Sequence, residues 1–506
     1  MNTFMNNLKA ATNYGYTENG AVKHLTTGSN VLDMFAEGGA YRNRSDEDCI
    51  VLFKKAFQEN ETLALKCLFY LRDVRGGQGE RRFFRVCMKW LANNHTEAAR
   101  RNLKYISEYG RWDDLYIFVD TPLEKEMFDF IRHQLEKDIN DVMSGNSKIG
   151  ISLLAKWLKS ENASSAETKK LAKKTREYFG ISARAYRRTL SKLREHIKVL
   201  EKLMSENRWD EIDFSKIPSK AGIKYRNAFA RRDMIAEKYK AFAKDKDTTV
   251  NAKTLYPYEI AERAFNCLNR RVEDPERLML NKYWENLPDY YNGRKENGIA
   301  VVDVSGSMYG RPLAAAVSLG AYIAERGHGP FANHFITFSA RPQLIEFEGV
   351  DIVDKFNRCA RADWGMNTNI EAVFNLLLTT ALNQHTKPED IPNRIYIFSD
   401  MEFDDCCSVG SKSYDRWSTG RLIRSESEMN TLLEQIRQKW AAYGYTLPSV
   451  IFWNLDARNN NIPAIGNGFS YVSGFSPVMV EQILSGKDGI DLMLEKLNSE
   501  RYAVIK

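Results

Sequence analysis

The sequence predicts an α-helical repeat module over residues 1–290, followed by a doubly wound α/β domain over residues 291–506. Three observations predict this. Between residues 45 and 285, apolar side chains recur mainly at helical spacing. From about residue 297, short apolar runs alternate with helical stretches, the pattern of a mainly parallel sheet. Between the two lie Pro288 and the polar run Tyr291-Asn292-Gly293-Arg294-Lys295-Glu296-Asn297, which marks a junction.

The helical elements follow in order. Ser45-Asp46-Glu47-Asp48 has the form of an N-terminal cap with acids in the first turn, and Ile50, Phe53 and Phe57 then recur at helical spacing. Residues 61–73 are mostly apolar and predict a buried helix. Arg75-Gly76-Gly77-Gln78-Gly79 breaks it, and Phe83, Phe84, Cys87, Trp90 and Leu91 begin the next. Helices of this length joined by short loops stack as HEAT-like repeats do, although the sequence has no clean period. In the second part, strands are expected at 299–303, 334–339, 394–398 and 449–455, and helices at 312–326, 369–382 and 426–443. Pro312 suits a first helical turn.

At 506 residues the chain exceeds one ordinary core. With 43% hydrophobic and 27% charged residues, it has a globular composition. No apolar stretch approaches the roughly 18 residues of a membrane span. Met1-Asn2-Thr3-Phe4-Met5-Asn6-Asn7 lacks the basic and apolar regions of a signal peptide. The seven cysteines (Cys49, Cys67, Cys87, Cys267, Cys359, Cys406 and Cys407) are odd in number and form no CxxC. They fit buried thiols in a reducing compartment, so a cytoplasmic location is expected. Cys406-Cys407, beside Asp404 and Asp405, have no neighbouring Cys or His and read as an exposed loop.

The net charge is +7, and its distribution matters more than its sum. Residues 151–200 hold thirteen Lys or Arg against four Asp or Glu, a clustering that suits an anionic partner or a solvated helix face. Leu190, Leu193, Ile197 and Leu200 form an apolar stripe, and Arg184, Arg187, Arg188, Lys192, Arg194 and Lys198 cover much of the remainder. The stripe has no Trp or Phe anchor, which argues against a membrane surface.

The sharpest motif is Asp303-Val304-Ser305-Gly306-Ser307, at the end of the apolar run Ile299-Ala300-Val301-Val302. A carboxylate and two hydroxyls at alternate positions can converge above a strand's end, and they are hard oxygen ligands of the kind Mg²⁺ takes. An ordinary turn also uses Asp, Ser and Gly. Two further signals follow: Trp364-Gly365-Met366-Asn367-Thr368-Asn369 before a helical pattern, and Arg394-Ile395-Tyr396-Ile397-Phe398-Ser399-Asp400, a strand ending in a carboxylate. Thr368 and Asp400 are thereby expected at the same edge of an α/β sheet, where such sheets bind ligands.

This set, in this order, resembles the metal-ion-dependent adhesion site (MIDAS) of a von Willebrand factor A domain. The resemblance implies Ser305, Ser307 and Thr368 as direct ligands of Mg²⁺ or another divalent cation, with Asp303 and Asp400 acting through metal-bound water. Asn367 and Asn369 depart from the usual surroundings of the threonine. Adhesion-type members of the family often leave one coordination position for a partner's carboxylate.

The first part has a resemblance of its own. Residues 71–82, Gly110-Arg111-Trp112-Asp113-Asp114-Leu115, Leu154-Ala155-Lys156-Trp157-Leu158 and Tyr186-Arg187-Arg188-Thr189-Leu190-Ser191 are similar to segments of Ro-like proteins. The whole resembles an uncharacterised family related to the Ro autoantigen, pairing a TROVE-type helical-repeat module with a von Willebrand A domain. In Ro proteins the helical module closes into a ring and binds small structured and single-stranded RNA. The resemblance implies an RNA-binding, ribonucleoprotein role. On the basic surface the expected contacts are Lys156, Lys159, Arg184, Arg187, Arg188, Lys192, Arg194 and Lys198. Trp112 and Trp157 could stack on bases, but tryptophans of this kind are expected in a core. The rival expectation is a metal-dependent adaptor recognising an acidic protein partner. No membrane partner or DNA specificity is expected. Nor is an enzyme: the seven His have no metal spacing, no Gly-rich loop ends in Gly-Lys-Ser/Thr, and Ser305 and Ser307 lack a nearby base.

Overall fold

The computed structural model describes residues 12–144, 150–267, 269–338, 341–360, 368–404 and 431–506. The chain divides into two compact units: residues 1–67 with 255–499, and residues 68–254 with 500–506. This differs from a cut at residue 290, because both the N-terminal segment and two helices before the junction join the sheet-bearing unit.

In that unit, β1 (Tyr14–Tyr16) and β2 (Val22–His24) form an antiparallel hairpin. The main sheet holds β3 (Gly298–Asp303), β4 (His334–Phe338), β5 (Leu344–Glu346), β6 (Arg394–Ser399), β7 (Ser449–Asn454) and β8 (Phe469–Ser473), in the order β5-β4-β3-β6-β7-β8. All its pairings are parallel except β4 with β5. The central strands are buried almost throughout, as continuous apolar runs demand in a parallel sheet. The chain leaves β3 for β4 on one side and returns to β6 on the other. The β3–β6 pair is therefore the point where strand order reverses, the ligand-binding crevice of open α/β sheets.

Helix Arg311–Arg326 lies on β3. Gly320 permits this, since a Cβ there would come within 2.4 Å of Val302 Cγ2. Helix Pro257–Phe265, with Ile260, Ala261 and Ala264 buried, packs on helix Arg311–Arg326. Helix Asn30–Glu37 packs on β8, where Gly39 N donates to Ser473 Oγ at 3.0 Å. The strands β5 and β8 and the β1–β2 hairpin were not expected from the sequence. They are short, and β5 is exposed. Of the expected helix at 426–443, residues 431 onward are described, with the helix running Leu432–Ala442 behind a Thr431–Glu434 capping box. Cys406, Cys407 and the segment 364–367 lie outside the described residues.

Among its described residues the other unit has helices as its regular elements, with one isolated β-bridge, Pro218 to Asn251. Helix Glu61–Arg72 carries the boundary between the units. Helices Arg82–Asn94, Glu124–Met143, Ala166–Phe179, Ala183–His196, Ser219–Arg231 and Asp233–Lys244 follow. Phe69 meets Phe84 and Tyr109 edge-on at 5.4 and 5.3 Å, and Phe214 meets Phe229 in the same manner at 5.3 Å. Among the described residues, no helix is long and apolar enough to cross a membrane. Cys49, Cys67, Cys87, Cys267 and Cys359 are buried thiols.

Candidate metal centre and basic face

Asp303 ends β3 and Asp400 directly follows β6, so the strand register sets both carboxylates at the same sheet edge. Both are fully buried. Asp303 Oδ1 accepts from Ser305 N at 2.9 Å, closing the turn, and Oδ2 accepts from Ser399 Oγ at 2.5 Å. Ser305 Oγ and Ser307 Oγ stand 3.0 Å apart. Asp400 Oδ1 accepts from Glu402 N at 3.2 Å, while its buried Oδ2 has no hydrogen-bond partner among the described residues. Gly310, at φ +92°, then turns the chain into helix Arg311–Arg326.

Burial, and next the charge of Asp400, push the Asp303 carboxyl up. Burial likewise raises Asp400, against the neighbouring Ser307 hydroxyl. Two buried carboxylates that repel one another, beside two hydroxyls and a carboxylate oxygen unpartnered among the described residues, would be relieved by a divalent cation. The donor set fits a hard ion such as Mg²⁺. Among the described residues no group of three or more His, Cys, Asp or Glu could hold a metal, so any ion here depends on hydroxyl and water ligands.

Asp303, Ser305, Ser307 and Asp400 come together as expected from the sequence. Thr368 is buried at the start of helix Ile370–Asn383, and its bonds point elsewhere. Its hydroxyl is 2.7 Å from Asp404 Oδ1 and 3.0 Å from Glu402 O, and it accepts from Asn19 Nδ2 at 3.0 Å. Its amide donates to Asp404 Oδ2 at 2.9 Å. Asn369, which departs from the family's pattern, caps the helix by accepting from Ala372 N at 2.8 Å.

Sequence reasoning missed three supports of this centre. Ser399 orients Asp303. The hairpin braces the 402–404 loop through Thr17 Oγ1 to Phe403 O at 2.7 Å and Asn19 Nδ2 to Glu402 O at 2.7 Å. Arg458 Nη2 donates to Ser307 O at 2.5 Å. Ser399 stood inside a recognised strand, but nothing local marked Asn19 or Arg458. Beside the hydroxyls, Tyr309 is 88% exposed.

On the helical unit, Arg184, Arg187, Arg188, Lys192 and Lys198 are exposed on or just past helix Ala183–His196. Arg187 has a loose pairing with Glu161 at 3.9 Å. Arg194 departs from expectation. Its guanidinium donates to Ala155 O, Ser160 Oγ and Leu158 O at 2.8, 3.1 and 3.0 Å, so it ties two helices together. Lys156 lies over the Trp157 ring, and Lys159 lies 3.5 Å from Asp113. Trp112 and Trp157 are half-buried, not core as expected: Trp112 stacks on Phe130, and Arg111 lies 4.4 Å over Trp157.

Residues 17–141 and 150–289 match a family described as a domain of unknown function, DUF2828. Residues 297–503 match a second, DUF7788. The chain is 32% identical over 517 residues to "Uncharacterized protein L728" of Acanthamoeba polyphaga mimivirus, covering 94% of this chain and 85% of that protein. Among solved structures, it is similar to the crystal structure of the Deinococcus radiodurans RO (RSR) protein. That similarity has a TM-score of 0.38 and 13% identity, over 94% of this chain and all of that one.

Proposed function

The chain belongs to the DUF2828 family, and from that premise and the geometry of its sheet edge we propose that it is a Ro-like RNA-binding protein whose α/β domain holds Mg²⁺ or a similar divalent cation. The carrying observation is the buried pair Asp303 and Asp400, set beside Ser305 and Ser307 at the point where strand order reverses. Asp303, Ser305, Ser307 and Asp400 would hold the ion. Thr368 would join them as in a von Willebrand A domain if its hydroxyl turned from Asp404. The ion would supply a fixed positive charge for an anionic oxygen.

The RNA part of the reading is supported by the Ro-like segments and by the exposed cations of helix Ala183–His196. Phosphate binding requires clustered Lys and Arg and weakens with salt. A HEAT-like, ring-closed module, a cytoplasmic location and a non-enzymatic role belong to the same proposal. Two measurements test it. RNA co-purifying from native cells is sequenced, and Mg²⁺ or Mn²⁺ is titrated calorimetrically into the wild type and Asp303→Ala. Absence of RNA enrichment over a neutral control protein sinks the RNA reading, and unchanged metal binding in the variant sinks the centre.

The exposure of Tyr309 beside the hydroxyls favours a second reading, an adaptor whose metal takes a carboxylate of an acidic protein partner. That reading predicts metal-dependent protein capture and no salt-sensitive RNA binding.

A further inference from the structure

Asp113 and Asp114 sit in the 3-10 turn Trp112–Phe118, both buried. Five cationic side chains lie within ion-pairing distance of them: Arg72, Arg81, Arg85, Arg111 and Lys159. Two carboxylates cannot balance five cations.

The inner shell is saturated first. Arg72 Nη2 takes Asp114 Oδ2 at 2.5 Å, Arg85 Nε takes Asp114 Oδ1 at 2.7 Å, and Arg81 Nη2 takes Asp113 Oδ2 at 2.5 Å. Arg111 and Lys159 stay farther out, at 3.6 and 3.5 Å from Asp113. Among the described residues, neither side chain donates a hydrogen bond. Yet Arg111 is 32% and Lys159 22% exposed, so each has given up much of its water. The Arg111 guanidinium also lies 4.4 Å over the Trp157 ring. Burial first, and then the charge of Arg81, lower its pKa, a sign of crowding by like charge. Arg194, which donates to the same 155–160 segment, adds a cation bound, among the described residues, by carbonyl and hydroxyl oxygens.

Half-desolvated cations with unused donors, held in excess over a rigid carboxylate pair, form a preorganised anion site. We infer that Arg81, Arg111 and Lys159 form a site for a phosphate group, with Arg111 and Lys159 supplying the free donors and the Asp113–Asp114 pair fixing the cations in place. This rests on the proposed function and deepens it. Lys159 is one of the contacts expected on the basic surface, and its backbone carbonyl accepts from Tyr186 Oη of helix Ala183–His196 at 2.8 Å. The inference adds Arg81 and Arg111 to it as a built phosphate site, whether the phosphate belongs to an RNA strand or is free.

The test uses the full chain. Inorganic phosphate is titrated while the melting temperature is followed. Fluorescein-labelled oligouridylate is titrated by anisotropy at several salt concentrations. The variants are Arg111→Gln with Lys159→Gln, and Lys159→Gln alone, which disturbs a 3.5 Å contact with Asp113 and a cation–π contact with Tyr116 at 5.4 Å, should the double variant misfold. The wild type is expected to gain stability from at least one probe, as any ligand of the folded state confers. The variants are expected to lose that gain. For oligouridylate, the salt slope should fall by about 0.7 for each phosphate contact removed. A response confined to inorganic phosphate assigns a free-phosphate ligand, and one confined to oligouridylate assigns a strand. If the wild type responds to neither, or Lys159→Gln responds to both as the wild type does, the site is overturned. If Arg188→Glu loses oligouridylate while Lys159→Gln keeps it, this site falls and the RNA reading stands.

Discussion

Arg501 Nη2 donates to Asp73 Oδ1 at 2.7 Å across 428 residues of chain. Asp73 is fully buried, follows helix Glu61–Arg72, and also accepts from Tyr502 Oη at 3.0 Å and Arg75 N at 2.9 Å. The last seven residues thus complete the helical unit's fold. Gly76 keeps the approach open, since a Cβ there would meet Arg501 Nε at 2.7 Å.

Arg501→Ala is therefore expected to destabilise the protein. It leaves a buried carboxylate short of its charged partner, a loss of about 1–3 kcal/mol. Arg501 is a third exposed, so the lower part of that range applies. Urea unfolding measures it. A stability equal to that of wild type would mean that the C-terminal residues contribute nothing to the unit.

Ser399→Ala removes no proposed metal ligand but frees Asp303 Oδ2 from its 2.5 Å hydrogen bond. Loss of such an outer partner typically weakens metal binding about 10–100-fold. Calorimetric titration with Mn²⁺ should show that weakening with the stoichiometry unchanged. Undiminished affinity would show that Asp303 is oriented without Ser399.

Glu37 supplies a pH test. Burial, followed by the charge of Asp33, raises its carboxyl from 4.5 to about 8, against a hydrogen bond from Tyr41, and its Oε1 has no partner among the described residues. The folded protein thus holds a proton that the unfolded chain releases above pH 4.5. Stability contributed by this group is full below that pH, declines as pH rises toward about 8, and is level beyond. Glu37→Gln should remove the decline. At pH 8 it is expected to be more stable than wild type by roughly 4 kcal/mol, with little gain at pH 4. Melting curves at the two pH values decide this, and an equal effect at both would refute a neutral Glu37.

Arg194 and Arg188 lie six residues apart on one helix and should behave oppositely. Arg194→Ala removes three hydrogen bonds from its guanidinium to the 155–160 segment and should lower the melting temperature. Arg188 is exposed, so Arg188→Glu should leave the melting temperature within experimental error and weaken salt-sensitive RNA binding. If Arg188→Glu binds RNA as wild type does, the exposed row is only a solvated face.

The sequence by itself determined what depends on neighbours a few residues apart. Ser45 and Asp48 form the capping box that their spacing announces. The apolar run before Asp303 becomes the central strand, and alternate spacing brings Ser305 and Ser307 together. Exposed arginines were legible as a class, but the strut Arg194 was not, because helical position alone does not reveal which carbonyls lie opposite. Tertiary structure alone decided the rest: Asn19 on Thr368, Arg501 on Asp73, and five cations gathered on Asp113 and Asp114. Periodicity and capping report backbone geometry within a turn or two. They carry no information about which distant side chain will fill a buried donor's or acceptor's place, and packing makes that choice only once the chain has folded.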